Sequence, residues 1–252
     1  MTGVLFNQIS IGWALIAIAL FPILLKIKQP YGRHTNKTWG FLIPNKIGWF
    51  IMEVPSPLLF SIVFLSGNKL NNPVSVVIFS FWMIHYIHRT FIFPFKLHTK
   101  GKKIPILIVI MGFSFNLVNA SLNAYFLGYI SDGYSCFWFV SPQFILGTLL
   151  FFTGMVINIQ ADYQLIALRK SSSNGYRIPR GGLFKYVSCP NHFGEIVEWI
   201  GFAVLSWNFA SLSFAIWTIV NIVPRSLDHQ KWYKAKFSHY PKKRKAVFPF
   251  VL

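Results

Sequence analysis

A chain of 252 residues in which 54% are hydrophobic and only 12% charged is too apolar for an ordinary soluble domain, where about a quarter of residues carry charge. Its net charge of +18 comes from short runs of Lys and Arg between long apolar segments, which points away from nucleic acid and towards phosphate-bearing cofactors or anionic lipid headgroups. Cys136 and Cys189 form neither a CxxC pair nor a disulfide framework, and both read as structural.

In chain order, the first apolar segment, near 8–27, lacks a basic start and a small-residue cleavage site, so it reads as a retained span rather than a signal peptide. A crossing takes about 20 mostly apolar residues. Six further stretches qualify, near 46–66, 73–95, 104–129, 142–168, 190–207 and 210–226. No repeat or linker divides the chain, and residues 1–252 read as one domain. The basic runs follow the first, third and fifth spans and fill the tail: Lys26 to Lys46, Arg89 to Lys103, Arg169 to Lys185, and Arg225 to Lys245. Only Lys69 falls on the other side. Positively charged connections stay cytoplasmic, so the N-terminus is expected outside or in a lumen and the C-terminus in the cytoplasm. The predicted fold is an all-α membrane protein with seven transmembrane helices. Its alternative has six spans, the sixth and seventh stretches being fused or re-entrant. Trp and Tyr anchor spans at interfaces and Phe fills lipid-facing surface, so the 18% aromatic content implies no aromatic box.

The chain has six carboxylates, and all but Asp132 lie inside apolar segments or within a turn or two of their cytoplasmic ends. An ionisable group at membrane depth is costly and by default marks a functional site. Glu53 lies inside the second span, followed by Pro55 and Pro57, which remove backbone donors and kink the helix. Such backbone must be buried in protein or line a cavity. A carboxylic acid in a dry, apolar cavity is favoured in its neutral form and then donates a hydrogen bond to a carbonyl. The third span supplies Tyr86, a second neutral donor. His85 and His88 stand at i, i+3 but have no HExxH or Glu-x-x-His companion, so no metal is expected.

In the fifth span, Asn158, Asp162 and Arg169 share one helical face near the cytoplasmic end. Asn191, Glu195 and Glu198 do the same in the sixth, and just past the seventh come His229 and Tyr233, with Asp228 beside them. Interhelical hydrogen bonding alone accounts for one such stripe. Three of them, with the basic loop Tyr176-Arg177-Ile178-Pro179-Arg180-Gly181-Gly182, suit a ligand bearing phosphates, a ribose and an amide. Gly181-Gly182 lacks the spacing of a dinucleotide-binding loop, and no βαβ unit surrounds it. A buried donor pair and a cytoplasmic cofactor site describe a reductase of a lipid carbonyl conjugated to a double bond. Preorganised donors stabilise the charge that gathers on the carbonyl oxygen as hydride arrives.

These residues resemble the steroid 5α-reductase family. The matching stretches are Tyr31-Gly32-Arg33-His34-Thr35, Glu53-Val54-Pro55-Ser56, His85-Tyr86-Ile87-His88-Arg89-Thr90, Gly154 through Tyr163, Tyr176-Arg177-Ile178-Pro179, Gly181-Gly182-Leu183-Phe184, Gly194 through Trp199, and the tail from His229 through Tyr240-Pro241 to Pro249-Phe250. They occur in order from about residue 31 to the C-terminus. The resemblance implies a seven-helix membrane fold that uses NADPH to reduce a 3-oxo-Δ4-steroid, with hydride going to carbon 5 and a proton to carbon 4. It implies that Glu53 and Tyr86 hold the 3-keto oxygen, and that Asn158, Asp162, Arg169, Tyr176, Arg177, Asn191, Glu195, His229 and Tyr233 line the NADPH site, with Tyr31 and Arg244 as further candidates. The family usually has Gln immediately before its catalytic Glu, whereas this chain has Met52, which implies a different efficiency or substrate range. The basic Lys96 to Lys103 loop suits lipid headgroups. A reductase of polyprenol, sterol or enoyl lipid and an isoprenylcysteine-type methyltransferase are the alternatives. Retained Glu53 and the Asn158 and Asp162 stripe disfavour the methyltransferase. The expected protein is a monomer of a bacterial inner membrane or the endoplasmic reticulum, with a steroid entering from the bilayer.

Overall fold

The computed structural model describes residues 1–252 except Tyr31, Arg33, His34, Thr99, Lys100, Asp132 and 171–175. The described helices are α1 (Gly3–Leu24), α2 (Asn45–Glu53), α3 (Pro55–Leu65), α4 (Pro73–Ile87), α5 (Phe93–Lys96), α6 (Ile106–Tyr125), α7 (Pro142–Lys170), α8 (Pro190–Ser206) and α9 (Phe209–Lys236). Two three-residue strands, β1 (Leu42–Pro44) and β2 (Lys103–Pro105), pair antiparallel with Leu42 opposite Pro105. Each ends in a proline whose next residue opens a helix, so the strand pair fixes where α2 and α6 begin.

Among the described residues, six helical runs are long and apolar enough to cross a bilayer: Gly3–Leu24, Asn45–Leu65, Pro73–Lys96, Ile106–Ile130, Pro142–Lys170 and Phe209–Lys236. The remaining predicted span is α8, whose 17 residues rise roughly 25 Å, short of a hydrocarbon core of about 30 Å. The last predicted span is corrected at its end. Hydropathy falls at 226, where the predicted span stops, but α9 continues to Lys236 and carries His229 and Tyr233 on the helix itself. Backbone pairing does not depend on hydropathy, and Pro224 disturbs the helix locally without ending it.

By Cα proximity the chain forms two compact units: Met1–Gly12, Gln29–Ile145 and Asn208–Ser211 make the first, and Trp13–Lys28, Leu146–Trp207 and Leu212–Leu252 the second. In the first unit, the run Pro73–Lys96 is α-helical except for a π turn at His88–Ile92, and a second π turn at Phe126–Ile130 ends α6. Met52, Ile104 and Val109 form a buried cluster. Gly112 lets Met52 lie flat on α6, since a Cβ there would come within 2.8 Å of the Met52 sulfur.

In the second unit, α7 and α8 touch backbone to backbone through two glycine pairs. A Cβ on Gly154 would lie 2.3 Å from the Glu198 amide nitrogen, and one on Gly194 would lie 2.5 Å from that of Asn158. A turn or two along, Gly147 meets Leu205 and Gly201 meets Phe151, each at 2.4 Å to a backbone nitrogen. Small residues at helix contacts allow this approach where lipid leaves no hydrophobic drive between helices. The tail lies along the segment before α8: Lys245 N donates to Tyr186 O (2.9 Å), Ser188 N to Lys245 O (2.8 Å) and Cys189 N to Ala246 O (3.1 Å).

Candidate active site

In the first unit, Glu53 ends α2 and Pro55 starts α3, with Val54 between them still in the right-handed helical region. Pro55 and Pro57 have no N–H to offer the carbonyls four residues earlier, those of Ile51 and Glu53, so the break leaves carbonyls for other partners. Asn116 of α6 serves the carbonyl between those two. Its Nδ2 donates to Met52 O at 2.7 Å and reaches Glu53 Oε2 at 3.4 Å. Glu53 Oε1 lies 3.9 Å from Arg89 Nε, and both side chains are about 15% exposed.

Arg89 belongs to the π turn, a feature that often accompanies functional sites. Its guanidinium is 4.7 Å from the Phe93 ring centre and 5.1 Å from that of Trp49, four residues before Glu53 on α2. Aromatic faces and a carboxylate therefore surround the cation. Three residues earlier, Tyr86 is 3% exposed, with its ring 4.8 Å from Trp82 and 4.9 Å from His85. Trp82 Nε1 donates to Ser56 O at 3.2 Å, tying the Tyr86 helix to the turn after Glu53. The sequence reading named Glu53 and Tyr86 but missed Asn116 as a partner, although Asn116, Asn119 and Asn123 stand at i, i+3 and i+7 in an apolar span, a signal of the same kind.

In the second unit, the glycine contacts bring the stripes of α7 and α8 together. Asn158 Nδ2 donates to Asn191 O at 2.9 Å and approaches Glu195 Oε2 at 3.4 Å, while Asn191 Nδ2 donates to Asp162 Oδ1 at 3.0 Å. Four of the predicted cofactor residues thus form one network. Three others are held by aromatic contacts: Arg169 lies 5.7 Å from the Tyr176 ring centre, Tyr176 packs on Trp232 at 4.9 Å, and Tyr233 stacks on Tyr240 at 5.3 Å. His229 lies 5.6 Å from His192, whose Nδ1 pairs with Ser226 Oγ at 2.8 Å. Arg177 is exposed. Glu198, read as part of the α8 stripe, is fully buried beside Gly154. Arg244 donates from Nη1 to Pro179 O at 3.2 Å. Tyr31 lies outside the described residues.

The fold and site define a helical, membrane-type protein with an acid at a helix break and a polar network of amides and carboxylates. Residues 102–252 match the family described as 3-oxo-5-alpha-steroid 4-dehydrogenase. Steroid 5-alpha-reductase DET2 of Arabidopsis thaliana is 44% identical over 91% of this chain and 90% of its own length. The rat 3-oxo-5-alpha-steroid 4-dehydrogenase 1 is 38% identical over 91% and 88%, and the human protein of that name 36% over 94% and 91%. The chain belongs to the steroid 5-alpha-reductase family, oxidoreductases acting on CH–CH groups.

Proposed function

We propose that the protein reduces the Δ4 double bond of 3-oxo-Δ4-steroids with NADPH. The observation that carries this reading is the setting of Glu53: an acid in an apolar span, at a proline break, between Arg89 and Asn116. An enone carbonyl needs fixed donors where charge accumulates, and Glu53 with Tyr86 can supply them. In this reading, Tyr86 Oη and protonated Glu53 donate to the 3-oxo oxygen, Asn116 sets the Glu53 rotamer, and Arg89 adds positive potential beside the developing oxyanion.

The donor set of the second unit fits a nicotinamide dinucleotide. Asn158, Asp162, Asn191 and Glu195 offer amide donors and carboxylate acceptors for ribose hydroxyls and a carboxamide. Arg169, Tyr176, Arg177, His229 and Tyr233 offer cations and aromatic faces for phosphates and bases. When bound, the reduced cofactor supplies the hydride. As part of the same proposal, α8 is a seventh crossing, the N-terminus faces outwards and the C-terminus the cytoplasm. The protein is then a monomer that receives steroid from the bilayer.

The test is to incubate the purified protein in detergent with NADPH and progesterone and follow the enone absorbance. Its loss, with formation of the 5α-reduced product, is the expected result. An unchanged absorbance alongside turnover of a polyprenol, another enone or a methyl acceptor would reject the assignment. Glu53→Gln should abolish turnover with cofactor binding still measurable, and Asn191→Ala should weaken cofactor binding first. Equal loss of binding in both would contradict the separate roles.

A further inference from the structure

In the second unit, residues 247–252 close into a hook: the amides of Val247 and Phe248 both donate to Leu252 O at 2.8 Å, and Leu252 N donates to Phe248 O at 3.1 Å. Phe250, inside the hook, has φ +65°, a left-handed conformation that bulky residues rarely adopt. It is 78% exposed and Val251 75%, and the Phe250 ring lies 5.4 Å from that of Tyr186, which is 46% exposed. Packing within the chain therefore does not offset the strain, which holds an aromatic ring outwards. The base of the hook is fixed. Val247 is fully buried with Ile196, Ile222 and Val223, and Phe248 packs on the same cluster, as does Phe21. Phe21 lies three residues before the end of α1, an apolar run long enough to cross a bilayer, so the hook stands level with the end of a span. Cations flank these apolar residues along the chain: Lys185, Lys242 and Lys243 are exposed, Lys245 Nζ donates to Val251 O at 3.2 Å, and positions 229–252 hold no Asp or Glu.

We propose that this hook is an interfacial anchor, with Phe250, Val251 and Tyr186 set into the headgroup boundary of an anionic bilayer leaflet. Aromatic and aliphatic side chains beside a basic rim suit that boundary, where the rings meet acyl chains and the lysines meet lipid phosphates. Lysine stems lie along apolar surface while their ammonium groups stay at the headgroups. A second copy of this chain, with net charge +18, would instead set cation against cation. The anchor has a mechanical consequence inside the unit. Lys245 and Ala246, just before the hook, accept from the amides of Ser188 and Cys189, so a hook held in the leaflet fixes the depth at which the chain enters α8. The inference rests on α1 as a crossing and not on the reductase reading, because it is measured without turnover.

The experiment uses the full chain with the exposed Cys136 replaced by Cys136→Ser, the other cysteine, Cys189, being buried. An NBD fluorophore is attached through Val251→Cys or, as the reference, through Lys236→Cys at the end of α9. Each protein is placed in nanodiscs of phosphatidylcholine, with and without phosphatidylglycerol, that contain a doxyl-labelled lipid as quencher. Emission at 251 should be blue-shifted and quenched roughly threefold more than at 236, with the difference growing as phosphatidylglycerol is added. Adding Phe250→Ser and Tyr186→Ser, both at exposed positions, should remove at least half of that difference. Equal quenching at the two sites would overturn the proposal, as would quenching indifferent to phosphatidylglycerol or to the serine changes. Protection at 251 that appears only with two copies per disc would also overturn it, assigning the face to a second copy of the chain.

Discussion

Asn116 joins α6 to the helix break at Glu53. One amide nitrogen serves both the Met52 carbonyl at the proline break and the Glu53 carboxylate, so its removal strips a buried carbonyl of its donor and unties the acid. Asn116→Leu should cost on the order of 1–3 kcal/mol of stability from the unpaired carbonyl. It should also lower kcat more than it raises KM for steroid, which thermal unfolding and steady-state kinetics measure. Arg89→Gln tests the other side of Glu53. It should reduce turnover at least tenfold without loss of cofactor binding, and undiminished turnover would show that the cation serves only to pack Trp49 and Phe93. Glu53 and Tyr86 were legible in the sequence because an acid before two prolines and a phenol in an apolar span have few bland explanations. Arg89 was read chiefly as an orientation charge. The π turn that joins it to Trp49, Phe93 and Glu53 leaves no mark in hydropathy.

The polar stripes were legible at the scale of the element, since i, i+4 spacing fixes a helical face regardless of neighbours. The spacing said nothing about how α7 and α8 approach. That depends on Gly147 and Gly154 facing Gly201 and Gly194, a seven-residue recurrence on each helix that the sequence reading passed over. Gly154→Leu should force the two backbones apart and with them Asn158 from Asn191. Cofactor binding and thermal stability should then fall together, whereas Val156→Leu, on an exposed part of the same helix, should leave both unchanged. Binding that survives in Gly154→Leu would refute the role of the close contact. The end of α9 escaped the sequence for a related reason: the apolar signal stops at 226 while the helix goes on to Lys236.

The asymmetry of charge was the first feature legible for the molecule as a whole, and it yields a labelling pattern. Cys136 is exposed and Cys189 buried. With seven crossings and a cytoplasmic C-terminus, Cys136 belongs to an outward connection. In spheroplasts of an expressing bacterium, a membrane-impermeant maleimide should therefore modify Cys136 alone, and a cysteine placed by Lys243→Cys in a chain carrying Cys136→Ser should react only after permeabilisation. Labelling of Lys243→Cys in sealed cells would reverse the orientation. Composition could not settle whether α8 crosses, because its 17 residues and two acids weaken the very signal by which a span is recognised.

The glycine contact between α7 and α8 also limits how this protein can change over time. A bulky newcomer in a packed core is often accommodated by a smaller residue across the gap. Here each intruding Cβ meets main-chain atoms of the facing helix, and the side chain opposite is already a hydrogen. A random-mutagenesis screen for second-site revertants of Gly154→Ala should accordingly recover true reversion or changes elsewhere, and none on the facing surface of α8. The four positions form a ratchet: the lineage can lose them but cannot trade them.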